Sequence, residues 1–242
     1  MFEFKEINLI MNKKTTSSIA EMFDSIVPYY NFLSSSLSFN IDKKWRKCAV
    51  SLLKDIKNPV LLDVATGTGD LAIELTKLKP ISVYAVDISS KMLEKATKKI
   101  AKKRLQMTIF PKLASAEKLP FNNNSFNAVT VGFGVRNFEN LENGLKEIYR
   151  VTKPGGSVII IEISIPSKTP VKQLYHFYLT KIIPWWGGLI SGNKKAYRYF
   201  AKSVLNFPKD AEFEQILSKS GFKPIGHIKM TFGVATIYVA KK

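Results

Sequence analysis

The chain has 242 residues, 45% of them hydrophobic, which suffices for one domain with a full core. No apolar run reaches the roughly 18 residues that span a bilayer, and Met1-Phe-Glu-Phe-Lys-Glu6 lacks the apolar stretch of a secretory signal. The net charge of +18 invites a nucleic-acid reading, but only five of the 37 basic residues are arginine, the residue of bidentate base contacts, and the lysines are spread along the chain.

No nucleic-acid partner is therefore expected, and the lysines read as a solvated surface that leaves attraction to anionic lipid open. The single Cys48 forbids an internal disulfide and fits a reducing, cytoplasmic compartment. Residues 1–14 read as a loose polar arm, with Met11 as an alternative start. Ile19, Met22, Phe23, Ile26 and Val27 then fall on one helical face, capped by Ser17 or Ser18 and stopped by Pro28. A second helix starts at Asp42 and buries Trp45, Cys48, Ala49, Leu52, Leu53 and Ile56 before Asn58-Pro59 ends it.

Strand and helix then alternate: strand 60–64, helix 70–78, strand 82–86, helix 90–103 with Met92, Leu93, Ala96 and Ile100 inward, and strand 107–110. A loop, Ala114 to Phe121, and an Asn122–Asn124 turn precede strand 126–131. Helix 140–152 is expected to stop at Lys153-Pro-Gly-Gly156 before the apolar strand 157–163. This alternation predicts an α/β fold, a Rossmann-like, seven-stranded, mostly parallel sheet covered on both faces. Residues 167–207 break the pattern: they read as helical, rich in aromatics, and placed as a lid over the carboxyl ends of the strands. Trp185 and Trp186, between Pro184 and Gly187-Gly188, are expected at a bend, either anchoring at headgroup level, lining the mouth of a groove, or packing on the core. A helix near 209–219 and a hairpin of runs 223–230 and 234–240 close the sheet. The organisation expected is one domain: 1–58 arm and N-terminal helices, 59–166 cofactor core, 167–207 lid, 208–242 closing helix and hairpin.

The chemistry gathers at Val60-Leu-Leu-Asp-Val-Ala-Thr-Gly-Thr-Gly-Asp70. A strand, a glycine turn and a helix form the front of a nucleotide-type site, where Gly67 and Gly69 let the backbone approach a ligand. Asp87 ends the second strand, 18 residues after Gly69, where a carboxylate accepts hydrogen bonds from two ribose hydroxyls. The turn lacks the third glycine of a dinucleotide site and carries Asp70 where a pyrophosphate would lie. An acid repels phosphate and suits a cationic, amino-acid-bearing nucleoside, the character of S-adenosylmethionine. No His/Cys cluster has metal-ligand spacing, so no metal is expected.

Five stretches then resemble one family: Met22-Phe-Asp-Ser-Ile-Val-Pro-Tyr-Tyr30, Leu62 to Asp70, Ala116-Glu-Lys-Leu-Pro-Phe121, Gly132-Phe-Gly-Val-Arg-Asn137 and Tyr149-Arg-Val-Thr-Lys-Pro-Gly-Gly156. The chain resembles the ubiquinone/menaquinone biosynthesis C-methyltransferases, class I S-adenosylmethionine-dependent enzymes, in the family's order over roughly residues 14–242. The resemblance implies cofactor contacts from Gly67, Thr68, Gly69, Asp87, Ser115 and Ala116. Ser115 stands where the family often has Asn, Gly132 where some members have Ser, and Phe126-Asn127 where Phe-Asp is usual.

The family methylates a ring carbon of a polyprenyl quinol. That carbon attacks well only as a phenolate, so the resemblance assigns Arg136 to stabilising that charge and Asn137 to orienting a water. The alternative for Arg136 is a surface pair with Glu139. His176 is a candidate base, and Tyr30 and Tyr178 candidate walls of the ring pocket; plain packing is the alternative for all three. The substrate expected is demethylmenaquinol, with a 2-methoxy-6-polyprenyl-1,4-benzoquinol as the alternative. A peripheral contact with the inner membrane face and a homodimer are both compatible with this reading. A nucleic-acid base methyltransferase would carry Asn/Asp-Pro-Pro-aromatic after the fourth strand, which is absent, and a non-enzymatic scaffold would not need Thr68, Asp87 and Arg136.

Overall fold

The structure, a computed structural model, describes residues 14–242. The expected loose arm and the alternative start at Met11 lie outside the described residues, apart from Lys14. Seven strands form one sheet: β1 (Val60–Val64), β2 (Ser82–Asp87), β3 (Ile109–Leu113), β4 (Phe126–Gly132), β5 (Thr152–Ile163), β6 (Lys223–Met230) and β7 (Ala235–Lys241). Their order is β3-β2-β1-β4-β5-β7-β6. All neighbouring pairs are parallel except those of β7, which runs antiparallel to both β5 and β6. The order reverses between β1 and β4, the crevice where open α/β sheets bind ligands.

Nine helices accompany it among the described residues: α1 (Thr16–Leu37), α2 (Asp42–Ser51), α3 (Asp70–Leu75), α4 (Ser90–Lys102), α5 (Leu141–Val151), α6 (Val171–Phe177), α7 (Ile183–Ser191), α8 (Lys194–Asn206) and α9 (Ala211–Lys219). A five-residue π-helical turn, Tyr178–Ile182, joins α6 to α7. The strands bury alternate residues on opposite faces. Leu61, Ala128, Ile159 and Ile161 pack beneath α2, α3 and α4. Leu62, Val129, Val131, Val158 and Ile160 pack beneath α5 and α9. A third core, Ile26, Leu33, Leu179, Ile183 and Tyr197 among its members, joins α1 to the lid helices.

Several boundaries differ from those read in the sequence. Pro28 does not stop the first helix, which runs 22 residues from the N-cap Thr15, not Ser17 or Ser18. A mid-helix proline loses a hydrogen bond, but Ile26 and Leu33 are buried on either side of it, and Lys95 Nζ donates to the Val27 carbonyl at 2.8 Å. Helix α2 ends at Ser51, leaving Leu52 exposed and Cys48 half-buried. Strand β3 begins two residues late and contains Pro111, tolerated because β3 is a sheet edge. Lys153 to Gly156 do not separate α5 from β5: they belong to the strand. The Gly155 amide donates to the Lys242 carbonyl, and the Lys242 amide to Gly156, so the end of β7 draws this stretch into the sheet.

Trp185 and Trp186 lie within α7, not at a bend. Pro184 stands just past the π turn, inside the continuous helical run of residues 171–191. Gly187 serves packing: a Cβ there would lie 2.4 Å from the Tyr197 ring, so its absence lets α7 and α8 touch.

Candidate active site

Strand β1 ends in a turn whose backbone is left-handed at Ala65 (φ 54°), Gly67 (φ 55°) and Gly69 (φ 80°). Ala65 at positive φ is strained, the kind of strain that collects at functional sites. Asp87, at the end of β2, holds the turn: Oδ2 accepts from the Gly67 amide at 2.7 Å and Oδ1 from the Ser89 amide at 2.9 Å. Asp87 is buried, and desolvation raises its carboxyl above the ordinary range against the pull of those amides. Asp63 lies fully buried in β1, opposite Thr130 of β4. It accepts from the Thr66 hydroxyl at 2.6 Å and the Thr130 hydroxyl at 2.7 Å. Burial pushes its carboxyl up to about 6. A Cβ at Gly67 would meet nothing within 4 Å.

The facing wall is the turn after β4. Gly134 packs against the strained Ala65 so closely that a Cβ would come within 2.4 Å of the alanine methyl. Arg136 follows in a short 3₁₀ turn, and its partner differs from the surface pair offered as the alternative. It does not reach Glu139, which instead accepts from the Thr16 amide and hydroxyl at 2.6 Å each. Its Nη1 donates to Glu162 at 2.8 Å and to the Phe133 carbonyl, and the guanidinium lies 5.1 Å from the Phe200 ring centre. The pair is buried, with side chains 7% and 1% exposed. Nε is buried without a hydrogen-bond partner among the described residues. The charge is therefore neutralised in place by Glu162, so Arg136 offers an oriented donor rather than a free cation. Asn137 is buried, and its Oδ1 accepts from the Tyr199 hydroxyl at 3.3 Å. Burial raises Tyr199 and Tyr30, so both phenols stay protonated at neutral pH.

Two cavities meet between these walls. The narrower is lined by Asp87, Ile88, Met92, Ala114, Ala116, Glu117 and the glycine turn. The wider, about 430 Å³, runs beneath the lid among Met22, Leu37, Trp45, Ile163, Tyr175 and Tyr178 and takes in Arg136 and Asp63. Phe23, Tyr30, Ala65, Gly67, Gly132, Phe133 and Asn137 line both.

The residues singled out in the sequence are only partly gathered here. Thr68 lines the wider cavity, with its hydroxyl engaged by Asn31 at 2.7 Å and Lys99 at 3.1 Å. Gly69 shapes the start of α3 and lines neither cavity. Ala116 lines the narrower cavity, whereas Ser115 donates its hydroxyl to Glu117 and lies outside both linings. His176 is exposed on α6 and lines neither, because the helix turns Tyr175 and Tyr178 toward the cavity instead. Asn127 keeps the role of an acid: its Oδ1 accepts from the Val60 amide at 2.9 Å. Sequence reasoning passed over Asp63, Glu117, Glu162 and Tyr199. Two of them carried a signal: an acid within an apolar central strand must be paired or neutralised.

The model of the ubiE/COQ5 methyltransferase family matches residues 10–242. The chain belongs to that family. It is 43% identical over 226 residues to the ubiquinone/menaquinone biosynthesis C-methyltransferase UbiE of Geotalea daltonii, covering 93% of this chain and 96% of the relative. It is 42% identical over 237 residues to the demethylmenaquinone methyltransferase of Chlorobaculum tepidum, with 96% of each chain covered. Among solved structures, a SAM-dependent methyltransferase from Aquifex aeolicus superposes with a TM-score of 0.54 at 20% identity, covering 79% of this chain and 88% of the other. The [4+2]-cyclase SpnF superposes at 0.65 and 15% identity, covering 94% and 96%. A cyclase and a methyltransferase share these elements, so the structural likeness carries the fold alone.

Proposed function

We propose that this ubiE/COQ5 family member transfers a methyl group from S-adenosylmethionine to a ring carbon of demethylmenaquinol. The observation that carries the reading is the meeting of a carboxylate-bearing cleft with a wide, largely apolar cavity over seven common residues. The cleft suits the donor. Its buried Asp87, raised by desolvation, favours a cationic ligand and accepts hydroxyl hydrogens, Asp63 adds a second such carboxyl from the adjoining wider cavity, and Gly67 leaves open space where a side chain would project. The donor supplies an electrophilic methyl when bound.

The protein's part is alignment, exclusion of water and control of protons. Asp87 and the glycine turn hold the ribose end. Phe133, Tyr30 and Asn137 stand at the junction and fix the ring against the donor. The buried Arg136 Nε donates to the ring oxygen, or to a water on it, as negative charge grows there. Glu162 holds the guanidinium in the orientation that makes this donation. Tyr199 and Asn137 extend the donor network as neutral groups.

Transfer of label from methyl-labelled S-adenosylmethionine to demethylmenaquinol, with a demethylated benzoquinol in parallel, tests the reading. We expect a methylated naphthoquinol as the better product. Failure on both quinols overturns the reading, and faster turnover of the benzoquinol reassigns the ring.

A further inference from the structure

Residues 163–209 contain no aspartate or glutamate, although the chain has 19, and they hold eight lysines and arginines. The middle of this segment is one continuous helical run, α6, the π turn and α7, over residues 171–191. Its inner face buries Leu179, Ile183 and Gly187. Its outer face does not bury its apolar residues. Leu174, Phe177, Ile182, Trp185, Trp186 and Leu189 are exposed by between 36% and 68%.

These residues form a stripe, not a scatter. Steps of three or four residues keep Leu174 with Phe177, and Ile182 with Trp185 and Leu189, on one side of an α-helix. The step from Phe177 to Ile182 is five, which an α-helix would rotate off the stripe. The π turn occupies those residues, and its i to i+5 repeat restores the register. Exposed Lys168, Lys172, Lys181 and Lys194 accompany the stripe along the segment. The wider cavity opens beside it: Phe39 lines the cavity while 73% exposed, and its ring centre lies 6.4 Å from that of Tyr178 in the π turn.

We infer that the outer face of residues 171–191 docks on a bilayer rich in anionic lipid. An exposed stripe of tryptophan, leucine and phenylalanine with lysine as its only charged company matches the two components of such a surface: acyl chains beneath, negative headgroups around. Tryptophan suits the boundary because its ring is apolar and its N–H is polar. No helix of the described residues is long and apolar enough to cross a membrane, so the chain lies on the surface by this face. Given the proposed quinol substrate, on which the purpose of this docking rests, a hydrophobic tail passes from the bilayer to the cavity without entering water.

Vesicle sedimentation of the full chain, without quinol or S-adenosylmethionine, tests the surface independently of the reaction. Phosphatidylglycerol–phosphatidylcholine vesicles are compared with phosphatidylcholine alone. We expect binding to the anionic vesicles that weakens with salt, and quenching of tryptophan emission by brominated acyl chains. Trp185→Ser/Trp186→Ser/Leu189→Ser should reduce partitioning about tenfold or more, with unchanged thermal unfolding. Lys172→Glu/Lys181→Glu leaves the apolar stripe whole and should weaken binding to anionic vesicles only. No partitioning of the wild-type chain, or partitioning of both variants equal to that of the wild type, overturns the inference. Light scattering that finds a wild-type dimer dissolved by the serine variant overturns it in favour of a second copy. Intact vesicle binding with no methylation of any quinol removes the proposed function and leaves the docking surface standing.

Discussion

Asp87 does two things at once. Its oxygens pin the glycine turn through Gly67 and Ser89 and face the cleft where hydroxyls are to be held. Alanine would orphan the turn amides as well as the ligand, so Asp87→Asn is the cleaner test. We expect it to weaken S-adenosylmethionine binding by about 1.5–3 kcal/mol in calorimetry, the range for losing hydrogen bonds to a charged group. Unchanged affinity in a folded variant removes Asp87 from the cofactor site. Arg136 is judged by rate. Lysine cannot reproduce the planar fork that meets Glu162 and the Phe133 carbonyl. Arg136→Lys should lower single-turnover methylation about 10²–10³-fold, the scale for one charge-stabilising donor, with cofactor affinity within a few fold. A defect confined to cofactor binding refutes the assignment.

Asp63 gives a pH signature. Its carboxyl is raised to about 6 in the folded chain, so it keeps a proton there that the unfolded chain has already released. Its stabilising contribution is present at low pH and is lost as pH rises through about 6. At about 1.4 kcal/mol per pKa unit this amounts to at most about 3 kcal/mol. Asp63→Asn should flatten the stability profile between acid and neutral pH in denaturant titrations. An unaltered slope would mean that another group titrates.

At the scale of elements, tertiary contacts decide which punctuation marks in the sequence end a helix. Pro28 reads as a stop and Pro184 as the start of a bend, and neither is one. The first is carried through by packing on both sides, and the second stands just past the π turn within one continuous helical run. Gly187 likewise reads as a bend but is a packing notch for Tyr197. Gly187→Ala should therefore lower stability by about 1–3 kcal/mol, the cost of overpacking, and loosen α7 from α8 in hydrogen exchange. A neutral effect in thermal unfolding would show that the ring has room to move. By contrast α4, with Met92, Leu93, Ala96 and Ile100 inward, follows its sequence periodicity residue for residue.

At the scale of the molecule, the sheet brings the ends of β1, β2 and β4 to one edge, where the reversal of strand order opens a crevice. The lid and α1 roof the crevice and convert it into two joined cavities. The distribution of charge follows the same plan. Lysines spread along the chain looked like a uniform surface, yet the acids are missing from the lid alone over a 47-residue stretch, 163–209.

The sequence by itself determined what depends on near neighbours and on period. Apolar runs between helices specified the strands, the 3.6-residue stripe specified α4, and the glycine turn with Asp87 marked the edge of the sheet where the narrower cavity lies. Those features are local, so spacing reveals them. Only the tertiary structure decided the partners of buried charge. Arg136 meets Glu162, 26 residues away, rather than Glu139 at three, because β5 lies beside β4 in the sheet and carries the acid inward. His176 was a candidate by rarity and Ser115 by motif, yet which way a side chain turns is set by what packs against its helix or loop. The lid's exposed stripe was hidden for the same reason: its register depends on a π turn, and a π turn leaves no mark in the spacing of residues until the helix around it is seen.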